Sequence, residues 1–273
     1  MPVDGELNLA DVKGFVFDVD GTLVHRGADF HARPLPGAIE VLERIRSSGR
    51  PLVLFTNGSH VTAERFARSL AADGLPIADH EVLTPVESAI SYLRRYHLDR
   101  PVFAFVTDVI RERIEAAGIP VTSGDDAEVV LVTHVEQVDL DAVERAAHAV
   151  RRGAPLLTGS YVPGFAGANG IILSRGAMVT AAIAKVSRTR PKVVGKPSHA
   201  AVGELRTHFG IPTQKLAVIG DDLDQDVRLG RMGGSRTVLV CSGTTGPIER
   251  ENIPPRRRPD AVADGIADLL NRL

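Results

Sequence analysis

At 273 residues the chain is long enough for one large domain or two modest ones, with a sizeable core. Apolar residues make up 44% and charged residues 24%, an ordinary globular balance that excludes a disordered chain. The formal net charge of −2 gives no electrostatic basis for nucleic acid or an anionic membrane as partner, and no apolar run approaches the ~20 residues that cross a bilayer.

Residues 1–11 carry Asp4, Glu6 and Asp11 without a basic cluster, so no export signal is expected there. Cys241 is the only cysteine, which rules out an internal disulfide and fits a reducing, cytoplasmic setting.

The first predicted element is an apolar strand, Phe15-Val16-Phe17, that ends abruptly in Asp18-Val19-Asp20-Gly21-Thr22. Asp18 and Asp20 are two residues apart, so in extended backbone both side chains leave on one side, and Gly21 allows a sharp turn behind them. Residues 38–48 carry Ile39, Leu42 and Ile45 at helical spacing and close at Gly49. Residues 51–56 form a second short apolar run that ends in Thr56-Asn57-Gly58-Ser59, and Thr62 caps the helix that follows. Strand, helix, strand, helix in this order predicts a parallel sheet.

The pattern shifts near Thr84-Pro85. Val86, Ala89, Ile90 and Leu93 mark a helix, residues 102–106 a strand, 109–117 a helix and 128–133 a strand. Leu140, Val143, Ala147 and Val150 give another helical stripe, followed by a short strand at 155–158, a glycine-rich loop at 163–170 and a helix at 177–186. This block has no second acid-tipped strand and reads as an insertion. From Lys192 the first rhythm resumes. Gly195-Lys196-Pro197-Ser198 opens a helix capped by Ser198, and residues 216–220 form a strand that ends in Asp221-Asp222. A strand at 237–240 and a closing helix at 266–270 complete the chain.

Asp18, Asp20, Thr56, Lys196, Asp221 and Asp226 call for one explanation. Ligands of open parallel sheets bind beyond the carboxyl ends of the strands. Four carboxylates gathered there repel one another unless a cation sits among them, and hard oxygen donors without a His or Cys cluster indicate Mg²⁺. With Lys196 added, the pocket suits phosphoryl transfer, in which a carboxylate nucleophile forms an aspartyl-phosphate and a second acid moves the proton.

Asp18-Val19-Asp20-Gly21-Thr22-Leu23, Thr56-Asn57-Gly58, Gly195-Lys196-Pro197-Ser198 and Gly220-Asp221-Asp222-Leu223-Asp224-Gln225-Asp226 resemble, in order, the motifs of the haloacid dehalogenase superfamily. The insert resembles the large cap of its class IIA phosphatases, as do Pro36-Gly37-Ala38 and Arg258-Pro259-Asp260. The resemblance implies an α/β fold with a Rossmann-like doubly wound parallel sheet core, residues 1–84 and 187–273, and an inserted α/β cap domain, residues 85–186. It implies Asp18 as nucleophile and metal ligand, and Asp20 as general acid/base that ligates Mg²⁺ through its backbone carbonyl. Thr56, Asn57, Gly58 and Lys196 would hold the phosphoryl group, Asp221 would ligate the metal, and Asp226 would act from behind it.

The implied substrate is a small phosphorylated metabolite such as a sugar phosphate, nucleotide or polyol phosphate, and relatives of this class often dimerise through their caps. Where class IIA members carry Thr-Asn-x-Asp, this chain has Thr158-Gly159-Ser160-Tyr161, so Ser160 and Tyr161 are the candidates for contact with the leaving group. Two other readings compete. A receiver-like phosphoacceptor also joins clustered acids, a Thr and a Lys, but lacks the acid two residues past the nucleophile and the insert. A non-catalytic phosphometabolite sensor would need a missing catalytic residue, and none is missing.

Overall fold

The computed structural model describes residues 9–26, 31–167 and 170–273. The amino-terminal part of the 1–11 segment and residues 168–169 of the glycine-rich stretch lie outside them.

Two parallel sheets organise the chain. The first runs Ala261–Ala263, Arg236–Val240, Leu216–Gly220, Gly14–Phe17, Leu52–Phe55, Val82–Leu83, and its neighbours all pair in parallel. Alternate residues of each strand enter different cores. Phe15, Phe17, Leu52, Leu54, Ala217 and Ile219 pack on one face, whereas Val16, Val53, Phe55, Leu216 and Val218 pack on the other. Burial on both faces explains why these strands read as unbroken apolar runs rather than alternating ones. After Gly14–Phe17 the chain builds outward through Leu52–Phe55, and it later returns to the other side through Leu216–Gly220. The strand order reverses between Gly14–Phe17 and Leu216–Gly220, the place where such sheets open a crevice for ligands.

The second sheet belongs to the insert and runs Lys192–Val193, Leu156–Thr158, Val129–Val132, Val102–Phe105, Val121–Thr122, again all parallel. It too is covered on both faces, with Phe103, Phe105, Val130 and Val132 on one side and Val102, Ala104, Val129 and Leu131 on the other. Lys192–Val193 pairs with Leu156–Thr158, so this sheet extends past the boundary expected at residue 186.

Two expected elements differ. Where a loop is expected over 163–170, Gly164–Gly167 pairs antiparallel with Gly170–Leu173, because the backbone pairing does not need the side chains that glycine lacks. The closing helix is a 3₁₀ segment, Ile266–Asn271, in which Ile266 and Leu269 are buried at the three-residue spacing of that tighter helix. The helix after Lys196 forms as expected, His199–Phe209, with Ser198 Oγ accepting from the Ala201 amide at 3.0 Å. No helix among the described residues is long and apolar enough to cross a membrane.

Candidate active site

The site is built from the carboxyl ends of neighbouring strands. Asp18 directly follows Gly14–Phe17 and Asp221 directly follows Leu216–Gly220, so the parallel register sets the two acids side by side. Gly220 has a structural reason at this point. A Cβ there would lie 2.2 Å from the Asp226 Cγ, so only glycine lets Asp226 fold back under the strand end. Gly21 has another, because its φ is +85° and a Cβ would lie 2.6 Å from Asp221 Oδ2.

Lys196 joins the two halves. It is 2% exposed, and its Nζ donates to Asp18 Oδ1 at 2.6 Å and to Asp226 Oδ1 at 2.7 Å. Burial alone would lower the ammonium pKa, but Asp18 and Asp226 outweigh it and raise it, which keeps Lys196 charged. Asp18, Asp221 and Asp226 each offer an oxygen within 4.8 Å of the others. One ammonium against three clustered carboxylates leaves the cluster negative. In Asp221, burial and the charge of Asp18 push the pKa to about 6, against the pull of the Thr244 amide and Lys196. Burial also pushes Asp226 upward, with Asp18 and Asp221 adding to it and Lys196 opposing.

This strain has a measurable consequence. A carboxyl whose folded pKa is raised binds more protons in the folded state, so its stabilising contribution is lost as pH rises through the folded value. With chelator present, the protein is expected to lose about 3 kcal/mol of stability through Asp221 between about pH 4 and pH 6. Thermal melts across that range test this, and the Asp221→Asn variant should show the shallower dependence on pH.

Asp20 lies nearer the opening. Its side chain is 44% exposed, against 14% for Asp18, and its Oδ1 accepts from Arg26 Nε at 2.7 Å. Crowding by the surrounding protein raises its pKa, Arg26 opposes this, and the solvent on its open side screens part of the shift. Arg26 was not legible as a site residue. It reaches Asp20 because Val24–Arg26 turns back as a short antiparallel hairpin with Ala32–Pro34, and hairpins this short leave little periodicity.

Thr56 is buried at the end of Leu52–Phe55, and its Oγ1 accepts from the Gly58 amide at 2.9 Å. Asn57 uses its side chain as a brace. Its Oδ1 accepts from the Lys196 amide at 3.2 Å, and its Nδ2 donates to the Lys196 carbonyl at 3.3 Å and to Gln225 Oε1 at 3.0 Å. Gln225, whose role no stretch of sequence signals, thus ties the second motif to the fourth. Asp222 caps the following turn by accepting from the Asp224 and Gln225 amides, as expected of an acid at a helix start. Asp224 pairs with Arg257 at 2.7 Å, away from the carboxylate cluster.

The insert meets this site through backbone. The Gly195 amide donates to the Gly159 carbonyl at 3.0 Å, and the Val194 amide to the Thr158 carbonyl at 2.8 Å. Ser160 therefore stands beside the segment that carries Lys196. Its Oγ is buried with no hydrogen-bond partner among the described residues, and Tyr161 is 42% exposed.

Fold and site together define a capped hydrolase of the haloacid dehalogenase type, an acid-lined crevice at a strand-order reversal with an α/β insert beside it. Residues 15–120 match the haloacid dehalogenase-like hydrolase family and residues 193–269 match the HAD-hydrolase-like family. The ribonucleotide monophosphatase NagD of Escherichia coli is 28% identical, over 94% of this chain and 98% of its own. The chloroplastic phosphoglycolate phosphatase 1A of Arabidopsis thaliana is 27% identical, over 95% of this chain and 77% of its own. The crystal structure of a 4-nitrophenylphosphatase from Thermotoga maritima superposes with a TM-score of 0.86 at 25% identity, covering 96% of this chain and 98% of that one. The chain belongs to the haloacid dehalogenase-like hydrolases, as a class IIA capped phosphatase.

Proposed function

We propose that this enzyme hydrolyses a small phosphate monoester with Mg²⁺, through an aspartyl-phosphate on Asp18. The observation that carries the reading is the Lys196 bridge to Asp18 and Asp226 within an oxygen-only cluster that includes Asp221. Such a cluster fits a hard divalent cation, because its surplus negative charge would otherwise repel a phosphate. Asp18, Asp221 and the Asp20 carbonyl would hold the ion, with Asp226 behind them. When bound, Mg²⁺ would neutralise charge on the phosphoryl oxygens and the acids.

The chain's own groups account for the rest. An Asp18 carboxylate oxygen attacks phosphorus, the ester P–O bond breaks, and Asp20 gives its proton to the departing alcohol oxygen. Asp20 then takes a proton from water, whose oxygen attacks the same phosphorus and releases inorganic phosphate and free Asp18. Lys196, the Thr56 hydroxyl and the Gly58 amide hold the phosphoryl oxygens, and Asn57 fixes Lys196 against the Thr56 loop. The insert, residues 85–186 with its sheet carried on to Lys192–Val193, serves as a cap with Ser160 and Tyr161 toward the leaving group. Sugar phosphates, nucleotides and polyol phosphates are the substrate classes proposed, in a cytoplasmic setting.

The test is release of p-nitrophenol from p-nitrophenyl phosphate by purified protein. Release is expected with millimolar Mg²⁺, and loss of activity with chelator should reverse on adding the metal back. Activity that ignores chelator would contradict the metal's role, and no release from any phosphate monoester would contradict the reading.

A further inference from the structure

Where the core faces the insert, two imidazoles and two guanidiniums stand together that the proposed phosphate chemistry does not use. His60 follows the Thr56 loop, is exposed, and has its carbonyl held by Thr107 Oγ1 of the insert at 3.0 Å. Its ring meets that of His134, also of the insert, edge to face with centroids 5.8 Å apart. His134 directly follows Thr133 at the carboxyl end of Val129–Val132, so it stands where a parallel sheet presents ligand contacts. Arg26 stands on the core side, its guanidinium 5.4 Å from the centre of the Phe66 ring, and a Cβ on Gly58 would lie 3.7 Å from that same ring. Phe66 thus places Arg26 beside the Thr56 loop.

The surrounding charges are mostly of one sign. Partial desolvation by the protein packed around the exposed ring, then His134 and Arg26, hold the His60 pKa below its ordinary value, with Glu136 opposing. Burial first, then Arg175, does the same for His134, again against Glu136. Asp20 pairs with Arg26, and Arg175 donates to the Glu136 carbonyl at 2.8 Å. Two imidazoles held against each other and beside two guanidiniums repel protons, and an anion placed between them would relieve that repulsion.

We propose that His60 and His134 form a subsite for a second anionic group on the alcohol portion of the substrate, so that favoured phosphate monoesters carry a carboxylate or a further phosphate there. One imidazole comes from the core and one from the insert, so this group would bridge the two units while the first phosphoryl group sits at Asp18. The inference rests on the phosphatase reading and narrows its substrate class.

The experiment compares kcat/KM for three probes with the same three-carbon chain: propyl phosphate, 3-phosphooxypropanoate and 1,3-propanediol bisphosphate. Wild-type protein is expected to favour at least one charged probe over propyl phosphate by about tenfold or more, and the favoured one identifies carboxylate or phosphate. The double variant His60→Gln/His134→Gln should bring that ratio toward one, mainly through KM. Should the double variant fail to fold, His134→Gln alone is read by the same ratio. Equal wild-type rates with all three probes would overturn the subsite and leave the phosphatase reading standing, as would a preference that survives substitution. No hydrolysis of any probe or of p-nitrophenyl phosphate would overturn both.

Discussion

Asp18→Asn is expected to reduce kcat by on the order of 10⁴- to 10⁶-fold, the scale at which removal of a nucleophile collapses a covalent mechanism. The amide is nearly the same shape but is a poor nucleophile and carries no charge. Folding should survive the exchange. Lys196 keeps Asp226 at 2.7 Å, and removing the Asp18 charge also removes a cause of the upward push on Asp221 and Asp226. A thermal midpoint near that of the wild type, combined with lost turnover, would separate chemistry from folding. Retained turnover would remove Asp18 from the nucleophile's role.

Lys196→Met carries the second large effect, and here stability and activity fall together. The side chain is 2% exposed and its two carboxylate partners lie within 2.7 Å. Deleting one partner of a buried ion pair leaves uncompensated charge and costs about 3–5 kcal/mol. Lys196 has a raised folded pKa, so in the wild type its contribution is present across neutral pH and is lost only as pH rises far into the alkaline range. In the variant, the stranded carboxylates can escape by protonation. The stability deficit should therefore be largest near about pH 8 and shrink toward about pH 5, which urea melts at the two pH values would show. A deficit independent of pH would mean that Lys196 acts through packing alone.

Much of this was legible in the sequence because the site lies at strand ends. The runs Phe15-Val16-Phe17 and 216–220 can be read as buried strands, and acids directly after them have no structural purpose that solvent-exposed turns would not serve. Parallel pairing then brings Asp18 and Asp221 together from 203 residues apart, the difference of their numbers. What escaped depends on chain reversals rather than periodicity. Arg26 reaches Asp20 through a hairpin of three-residue strands, and Gln225 reaches Asn57 through a π-type turn, Leu223–Val227. The His60–His134 contact needs two loops from different sheets to face each other, which no single stretch of sequence encodes. The paired strands Gly164–Gly167 and Gly170–Leu173 read as a loop because glycine weighs against a strand, although it keeps the N–H and C=O that the pairing uses.

The most direct test of the account is to find the phosphoryl group on the protein. The Asp20→Asn variant suits this purpose. p-Nitrophenolate leaves without needing a proton, so Asp18 should still be phosphorylated, whereas attack by water loses its base. Acid quench of this variant with p-nitrophenyl phosphate and Mg²⁺, followed by peptide mass spectrometry, should find one phosphate on the peptide holding Asp18, removable by hydroxylamine. Phosphate on another residue, or turnover by the wild type with no phosphoprotein in either form, would contradict the account.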